Sequence, residues 1–200
     1  MLRIAVALIL LAVGAAAASD AGLTGSDGHP RDRLPLSVYV AAFGTPSLDR
    51  AASRAVDDWN RVAREALGVA AYTQTEVARD AQVVVAAAPA VSGDPMGVTH
   101  LGSGPDGVIA LPVRIVVHEP AARGQTSRET ILYQVLAHEL GHALGLVHTT
   151  DPRSLMCCVH TSLDFDDPAV RAAYIEARRH PDVGSVRTQF AAHYERFWRK

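Results

Sequence analysis

An α+β fold, a twisted mixed sheet of about five strands with three main helices, is what the pattern of this 200-residue sequence predicts. Three observations carry it. A short alternating run, a long amphipathic stretch and a second apolar run follow one another between residues 36 and 88. Short runs punctuated by glycine then fill residues 93 to 117. A capped, apolar helical pattern opens near residue 126, and further helical patterns follow it. Strand, long helix and further strand imply a right-handed crossover with parallel pairing. The short runs after it supply an edge strand and its neighbour. No internal repeat and no second domain is visible.

The elements follow in order. Leu36-Ser37-Val38-Tyr39-Val40 alternates as a half-buried strand should. Thr45-Pro46 offers an N-cap and a proline at the first helical position. From Leu48 to Leu67 the residues Ala52, Ala55, Val56, Trp59, Val62, Ala63, Ala66 and Leu67 fall on one helical stripe, and Gly68 is its stop. Val69 to Thr73 reads as a short strand. Ala81 to Ala88 is a continuous apolar run, the pattern of a strand covered on both faces. Val98-Thr99-His100-Leu101, set among five glycines and two prolines between Gly93 and Gly107, reads as an edge strand. Val108 to Val117 is a further strand, in which Pro112 demands an edge, a bulge or a break. Thr126-Ser127-Arg128-Glu129 has the form of a capping box, opening a helix with Ile131, Leu132, Val135 and Leu136 on its core face. Asp166-Asp167-Pro168 starts another, with Val170, Ala173, Tyr174 and Ala177 as its expected core contacts. Gln189 to Arg199 carries Phe190, Tyr194, Phe197 and Trp198 on one side and is expected to pack on the domain.

The chemistry is concentrated in His138-Glu139-Leu140-Gly141-His142-Ala143-Leu144-Gly145-Leu146-Val147-His148. Residues four apart share a helix face, so His138 and His142 can point at one metal ion. Glu139, one step round the helix, can reach a water on that metal without binding the metal itself. Gly145 tolerates a left-handed conformation, which lets the helix stop and brings His148 back as a third ligand. Three neutral imidazoles and one open position are what a catalytic zinc requires. A histidine-bearing surface helix would need neither the glycine nor the third histidine at these offsets.

Thr149 follows the third histidine directly, and Met156 stands eight residues beyond it in Ser154-Leu155-Met156. With the extended zinc motif, these features resemble a metzincin metallopeptidase with its Met-turn. The run HELGHALGLVHTTDPRSLM is most similar to the matrixins, and weaker matches of order and spacing extend from about Leu34 to Tyr174. The resemblance implies a zincin-like metzincin catalytic domain, one catalytic Zn²⁺ on His138, His142 and His148, and Met156 as an apolar floor beneath them. It implies a zinc-dependent endopeptidase that hydrolyses peptide bonds by zinc-activated water, with Glu139 as general base. Its partner would be a peptide or protein substrate, and the enzyme a monomer.

Met1-Leu2-Arg3, the apolar run Ile4 to Val13 and the A-x-A site Ala16-Ala17-Ala18 predict a cleaved signal peptide over residues 1–18. Residues 19–33, rich in Gly, Asp and Ser, read as a flexible lead-in, and 34–200 as the peptidase domain with a C-terminal helical extension. The expected location is therefore secreted or periplasmic, with no membrane association after cleavage. A net charge of −2 and a pI of about 6.5 give no reason to expect nucleic acid or an anionic surface as partner. The two cysteines, Cys157 and Cys158, are adjacent, so this is not a disulfide scaffold. They read either as small core residues or as thiols acting on the metal. Whether they pair with each other, stay free or bond another chain is left open.

The sequence also departs from the matrixin pattern. No cysteine precedes the catalytic region, so a cysteine switch is not expected. The loop that holds a structural zinc in vertebrate matrixins has no counterpart, and His100 and His118 stand alone. Asp94 and Asp106 sit in glycine turns that could take Ca²⁺, although turn chemistry explains them as well. No hemopexin-like region is recognisable, which fits a minimal form like the bacterial matrixin-like enzymes. Cys157-Cys158-Val159-His160 replaces the usual wall of the specificity pocket, so substrate preference does not transfer, and His160 could approach the cleft. The alternative of another class is a catalytically silent, zinc-holding binding module, for which the aromatic tail from Phe190 to Trp198 would serve a partner.

Overall fold

The computed structural model describes residues 22–90, 95–122, 126–158 and 162–199. The signal segment expected at 1–18 lies outside them. Five strands, β1 (Leu36–Val40), β2 (Tyr72–Gln74), β3 (Val83–Ala88), β4 (Gly97–His100) and β5 (Val113–His118), form one sheet in the order β2-β1-β3-β5-β4. β1 pairs in parallel with both β2 and β3, and β3 with β5, while β4 runs antiparallel on the edge. Four helices, α1 (Pro46–Leu67), α2 (Arg128–Ala143), α3 (Pro168–Arg179) and α4 (Arg187–Phe197), complete the α+β architecture. No helix among the described residues is long and apolar enough to cross a membrane.

α1 forms as its sequence demands. The Thr45 hydroxyl accepts the Leu48 N–H, Pro46 follows at N1, and Gly68 closes the helix in the left-handed region at φ 76°. Its buried stripe is Leu48, Ala51, Ala52, Ala55, Val56, Trp59, Val62 and Ala63, while Ala66 and Leu67 are only partly buried. Small alanines let α1 lie close against α2, and Trp59 fills the space between α1, α2 and α4, its ring 5.4 Å from that of Phe190. Removing such an indole would cost about 3–5 kcal/mol.

Several expectations are corrected. β3 is not covered on both faces: Val83 and Val85 on one face are buried, whereas on the other Val84 is half-buried and Ala86 exposed, and towards the strand's end Ala87 is exposed as well. The helices cover one side of the sheet, and alanines are small enough to face water at little cost. β2 starts at Tyr72 rather than Val69, because Val69 to Ala71 turn the chain after Gly68 and Leu36 pairs with Tyr72. The run from Val108 is broken at Pro112, so β5 begins at Val113. The N-cap of α2 is Ser127, whose hydroxyl accepts the Thr130 N–H. Glu129 is thereby out of capping-box register, and its carboxylate instead accepts from the Ser47 hydroxyl of α1 at 3.0 Å. The α3 residues Val170, Ala173, Tyr174 and Ala177 are half-buried, and no side chain of α3 is fully buried. The helix lies over a loop, not over the sheet.

Residues 22–33 are also not a loose lead-in. Gly28 forms a parallel bridge to Val108, donating to the Gly107 carbonyl and accepting from Ile109 N–H, both at 2.9 Å. Asp27 and His29 are buried, and the Trp198 indole donates to the His29 carbonyl at 3.0 Å. Polar composition suggested flexibility, but these polar groups are engaged in the domain. His29 Nε2–H donates to the Ala143 carbonyl at 2.9 Å, with the Arg33 guanidinium 3.5 Å from Nδ1. Burial, assisted by the charges of Arg33 and His193, pushes the His29 pKa down to about 4 against the pull of that hydrogen bond.

A pH dependence follows. The folded pKa lies below the unfolded value of 6.5, so His29 stabilises the fold fully above pH 6.5. As pH falls from 6.5 towards about 4 the unfolded chain takes a proton that the folded chain refuses, losing on the order of 3 kcal/mol. Urea unfolding of wild type should weaken over this window, and His29→Gln should flatten the slope. Equal slopes in the two proteins would show that His29 does not couple protonation to folding.

Candidate metal centre

α2 carries His138, Glu139 and His142, and it ends in a turn built on Gly145. Gly145 adopts φ 89°; its N–H donates to His142 O at 2.8 Å and Leu146 N–H donates to Gly141 O at 3.0 Å. This pair of bonds is the Schellman termination, which favours glycine. A second constraint acts here: a Cβ on Gly145 would sit 2.2 Å from the Asp27 carbonyl oxygen. The chain then returns through His148. Thr149 N–H donates to Met156 O at 2.9 Å, and Thr149 forms a parallel bridge with Cys157, so the Met156 segment lies beside His148.

The structure brings His138, His142 and His148 together. Their Nε2 atoms form a triangle with edges of 3.0, 3.0 and 3.2 Å. Nδ1–H of His138 donates to the Leu155 carbonyl and Nδ1–H of His142 to the Leu146 carbonyl, each at 2.8 Å. A carbonyl can only accept, so both neutral rings carry the proton on Nδ1 and turn a bare Nε2 inward. Burial first, then the neighbouring His142 ring, holds the His138 imidazole well below the usual histidine range, which keeps it neutral. Bare lone pairs at 3.0 Å repel one another, and a cation between them removes the repulsion. Zinc ligated tetrahedrally at about 2.0–2.1 Å spaces nitrogens roughly 3.3 Å apart, close to these edges. The residues present therefore fit the ion that the sequence implied.

Glu139 is buried at 3% exposure against β4. The Thr99 hydroxyl lies 2.7 Å from Glu139 Oε2 and 3.1 Å from its backbone carbonyl, and has one proton to donate to either. A Cβ on Gly97 would stand 2.7 Å from Val135 and 2.8 Å from Glu139 Cγ, so β4 passes directly over the carboxylate. Met156 is fully buried, and a Cβ on Gly141 would meet its sulfur at 2.6 Å and Trp59 at 3.1 Å. Sequence reasoning missed Thr99, Gly97 and Gly141. A glycine inside a helix costs about 1 kcal/mol relative to alanine, so Gly141 carried a readable signal of close packing. Thr99 carried none.

Cys157 and Cys158 are joined to each other as a disulfide, which removes the free-thiol reading. Asp106 is exposed, and its carboxylate accepts the Val108 N–H at 3.0 Å, ordinary turn chemistry. His100 is exposed, and His118 Nδ1–H donates to the Pro89 carbonyl at 2.8 Å. Asp94 and His160 lie outside the described residues. Phe190, Tyr194 and Phe197 are buried within the domain, so the aromatic tail no longer supports a partner-binding role.

The family model for matrixin matches residues 48–171. Matrix metalloproteinase-16 from Mus musculus is 29% identical over 149 residues, covering 70% of this chain and 24% of that protein. The protein of the same name from Rattus norvegicus matches to the same extent, and that from Homo sapiens is 28% identical over 149 residues. The chain thus spans about a quarter of the length of these relatives.

Protein purified without added zinc should contain about one zinc per chain. His142→Ala should lower the content at least tenfold, measured by elemental analysis after dialysis against buffer. Retention of full zinc occupancy in that variant would sink the assignment.

Proposed function

Because the chain belongs to the matrixin family, whose members are zinc metallopeptidases, we propose that it is an exported endopeptidase. The observation that carries the reading is the inward triangle of Nε2 atoms on His138, His142 and His148, with Glu139 next in sequence to the first ligand. When bound, zinc acts as a Lewis acid, lowering the pKa of water towards about 7 and polarising the scissile carbonyl.

The chain's own residues do the rest. His138, His142 and His148 hold the ion, and the carbonyls of Leu155 and Leu146 keep two of these rings in the ligating tautomer. Glu139 takes the proton of the attacking water and hands it to the leaving amine. The Thr99 hydroxyl at 2.7 Å orients the carboxylate through Oε2. Met156 supplies an apolar floor beneath the ligands. The substrate lies extended along β4, whose outer edge has no partner strand in the described sheet, and adds a strand there. Residues 1–18 direct export to the periplasm or outside the cell. Within this chain both cysteines are engaged with each other, so activity needs no thiol to leave the metal.

Casein or gelatin should be digested by the wild type, and a zinc chelator should stop the digestion. Glu139→Ala should keep its zinc and lose about 10²–10⁴-fold or more in kcat. Cleavage at the wild-type rate by that variant would remove Glu139 from the mechanism.

A further inference from the structure

All three inward histidines meet one short stretch, Leu155-Met156-Cys157, directly or through the next residue. The Leu155 carbonyl holds His138 Nδ1–H at 2.8 Å. The Met156 carbonyl accepts the N–H of Thr149, the residue after His148, at 2.9 Å, and Thr149 bridges to Cys157. The Met156 sulfur lies against Gly141, the residue before His142, where a Cβ would stand 2.6 Å from it. Yet the stretch belongs to no helix and to no strand of the sheet, so its geometry has to be fixed by other means. At its upstream end the Leu155 N–H donates to Ser185 Oγ at 2.9 Å. At its downstream end stands the Cys157–Cys158 disulfide, with Arg178 donating to the Cys157 carbonyl at 2.8 Å.

A disulfide between neighbours does a different job from one that closes a long loop. The chain-entropy gain of a disulfide grows with the loop it closes, so here it is smallest. What the bond does instead is close a small ring through the peptide that joins the two residues, removing the backbone freedom of that pair alone. In this chain the restraint falls at the end of the stretch that the histidines share. An exported chain can keep such a bond, whereas a cytosol keeps thiols reduced. The two cysteines are not equally reachable: Cys157 is 5% exposed, while Cys158 is half-buried.

We propose that the Cys157–Cys158 disulfide is a positioning element of the metal centre: once oxidised, it fixes Leu155-Met156-Cys157 and thereby raises zinc affinity after export. The step is a thiol–disulfide exchange. The Cys158 thiolate attacks the disulfide of an oxidising partner, such as glutathione disulfide, and displaces one thiol. The Cys157 thiolate then attacks Cys158 Sγ of that mixed disulfide and displaces the second. Two electrons and two protons leave the cysteine pair and end on the partner's two thiols. The timing rests on the exported-peptidase reading, whereas the dependence of zinc affinity on the disulfide does not.

Zinc affinity in the two redox forms is the test, and it needs no turnover. Three proteins would be titrated with zinc against a chromophoric chelator at pH 7. They are the oxidised chain, the chain reduced by a phosphine and then freed of it without air, and a Cys157→Ser/Cys158→Ser variant. Thiol counting should find none in the oxidised form and two in the reduced form. The oxidised form should bind zinc about 10–100-fold more tightly than the other two, the range over which groups supporting a metal's ligands act. The variant should respond neither to reductant nor to glutathione disulfide. Free thiols can themselves attract zinc, so the variant decides where it and the reduced form differ. Cooperative thermal unfolding checks the fold of each, and the reduced chain serves if the serine variant does not fold. Equal zinc affinity in the oxidised and thiol-free proteins, two thiols persisting after treatment with glutathione disulfide, or unfolding of both the reduced and the serine forms overturns the proposal. Casein digestion at saturating zinc separates the two readings. Digestion, with a zinc affinity indifferent to the disulfide, leaves the peptidase and removes the positioning role. A disulfide-dependent affinity with no digestion by either form does the reverse.

Discussion

The carboxyl end of α2 is buried, and its carbonyls must be satisfied without water. The rest of the structure is arranged around that constraint. Helix ends leave carbonyls without intrahelical partners, and a buried one left unmatched costs about 1–3 kcal/mol. Here the Tyr72 hydroxyl donates to Leu140 O at 2.7 Å, His29 Nε2–H to Ala143 O at 2.9 Å and the Tyr194 hydroxyl to Leu144 O at 3.1 Å. The turn itself satisfies Gly141 and His142 through Leu146 and Gly145. One turn earlier, the Trp59 indole donates to Ala137 O at 2.8 Å. α1, β2, α4 and the segment before β1 each contribute a donor, so the helix bearing His138 and His142 is held from four directions.

The same economy extends to the inward-facing histidines. Leu146 and Leu155 lie at opposite ends of the loop after α2, and each offers its carbonyl to one histidine. The loop that carries His148 thus also sets the tautomers of His138 and His142. Supporting hydrogen bonds of this kind commonly change metal affinity by about 10–100-fold. Glu139 is placed from the other side, by the edge strand. Gly97 lets β4 approach and Thr99 holds the carboxylate, so the sheet fixes Glu139 and the loop fixes the histidine rings.

What could be read from the sequence was whatever depends on spacing along the chain. The cap and stop of α1, the helical histidine pair, Gly145 and the edge position of the strand at Val98 are all local patterns. The arrangements that depend on contacts between distant residues were not legible. The apolar run of β3 looked covered on both faces because alanine and valine do not say what lies opposite them. Residues 22–33 looked loose because Asp27 and His29 are polar, yet Asp27 is held locally by the Thr24 N–H and hydroxyl, and the partner of His29, the Ala143 carbonyl, lies 114 residues away. Thr99 was invisible for the same reason: its meaning is Glu139, forty residues on.

The two ways in which α2 is terminated place different demands on descent. Only glycine serves at position 145, where the φ of 89° and the Asp27 carbonyl together leave no room for a side chain. The Ala143 and Leu144 carbonyls need only a donor of suitable reach, and histidine and tyrosine are two of several that would do. Positions of the second kind can change identity among relatives while the helix stays clamped. The matrixin match over residues 48–171 includes Gly145 but omits His29, Tyr194 and the whole of β1. The stretch that can be recognised is shorter than the stretch that can stand. A core trimmed to the boundaries of the match would keep the zinc motif, but it would lose two of the side chains that hold the motif's helix and the strand that joins β2 to β3.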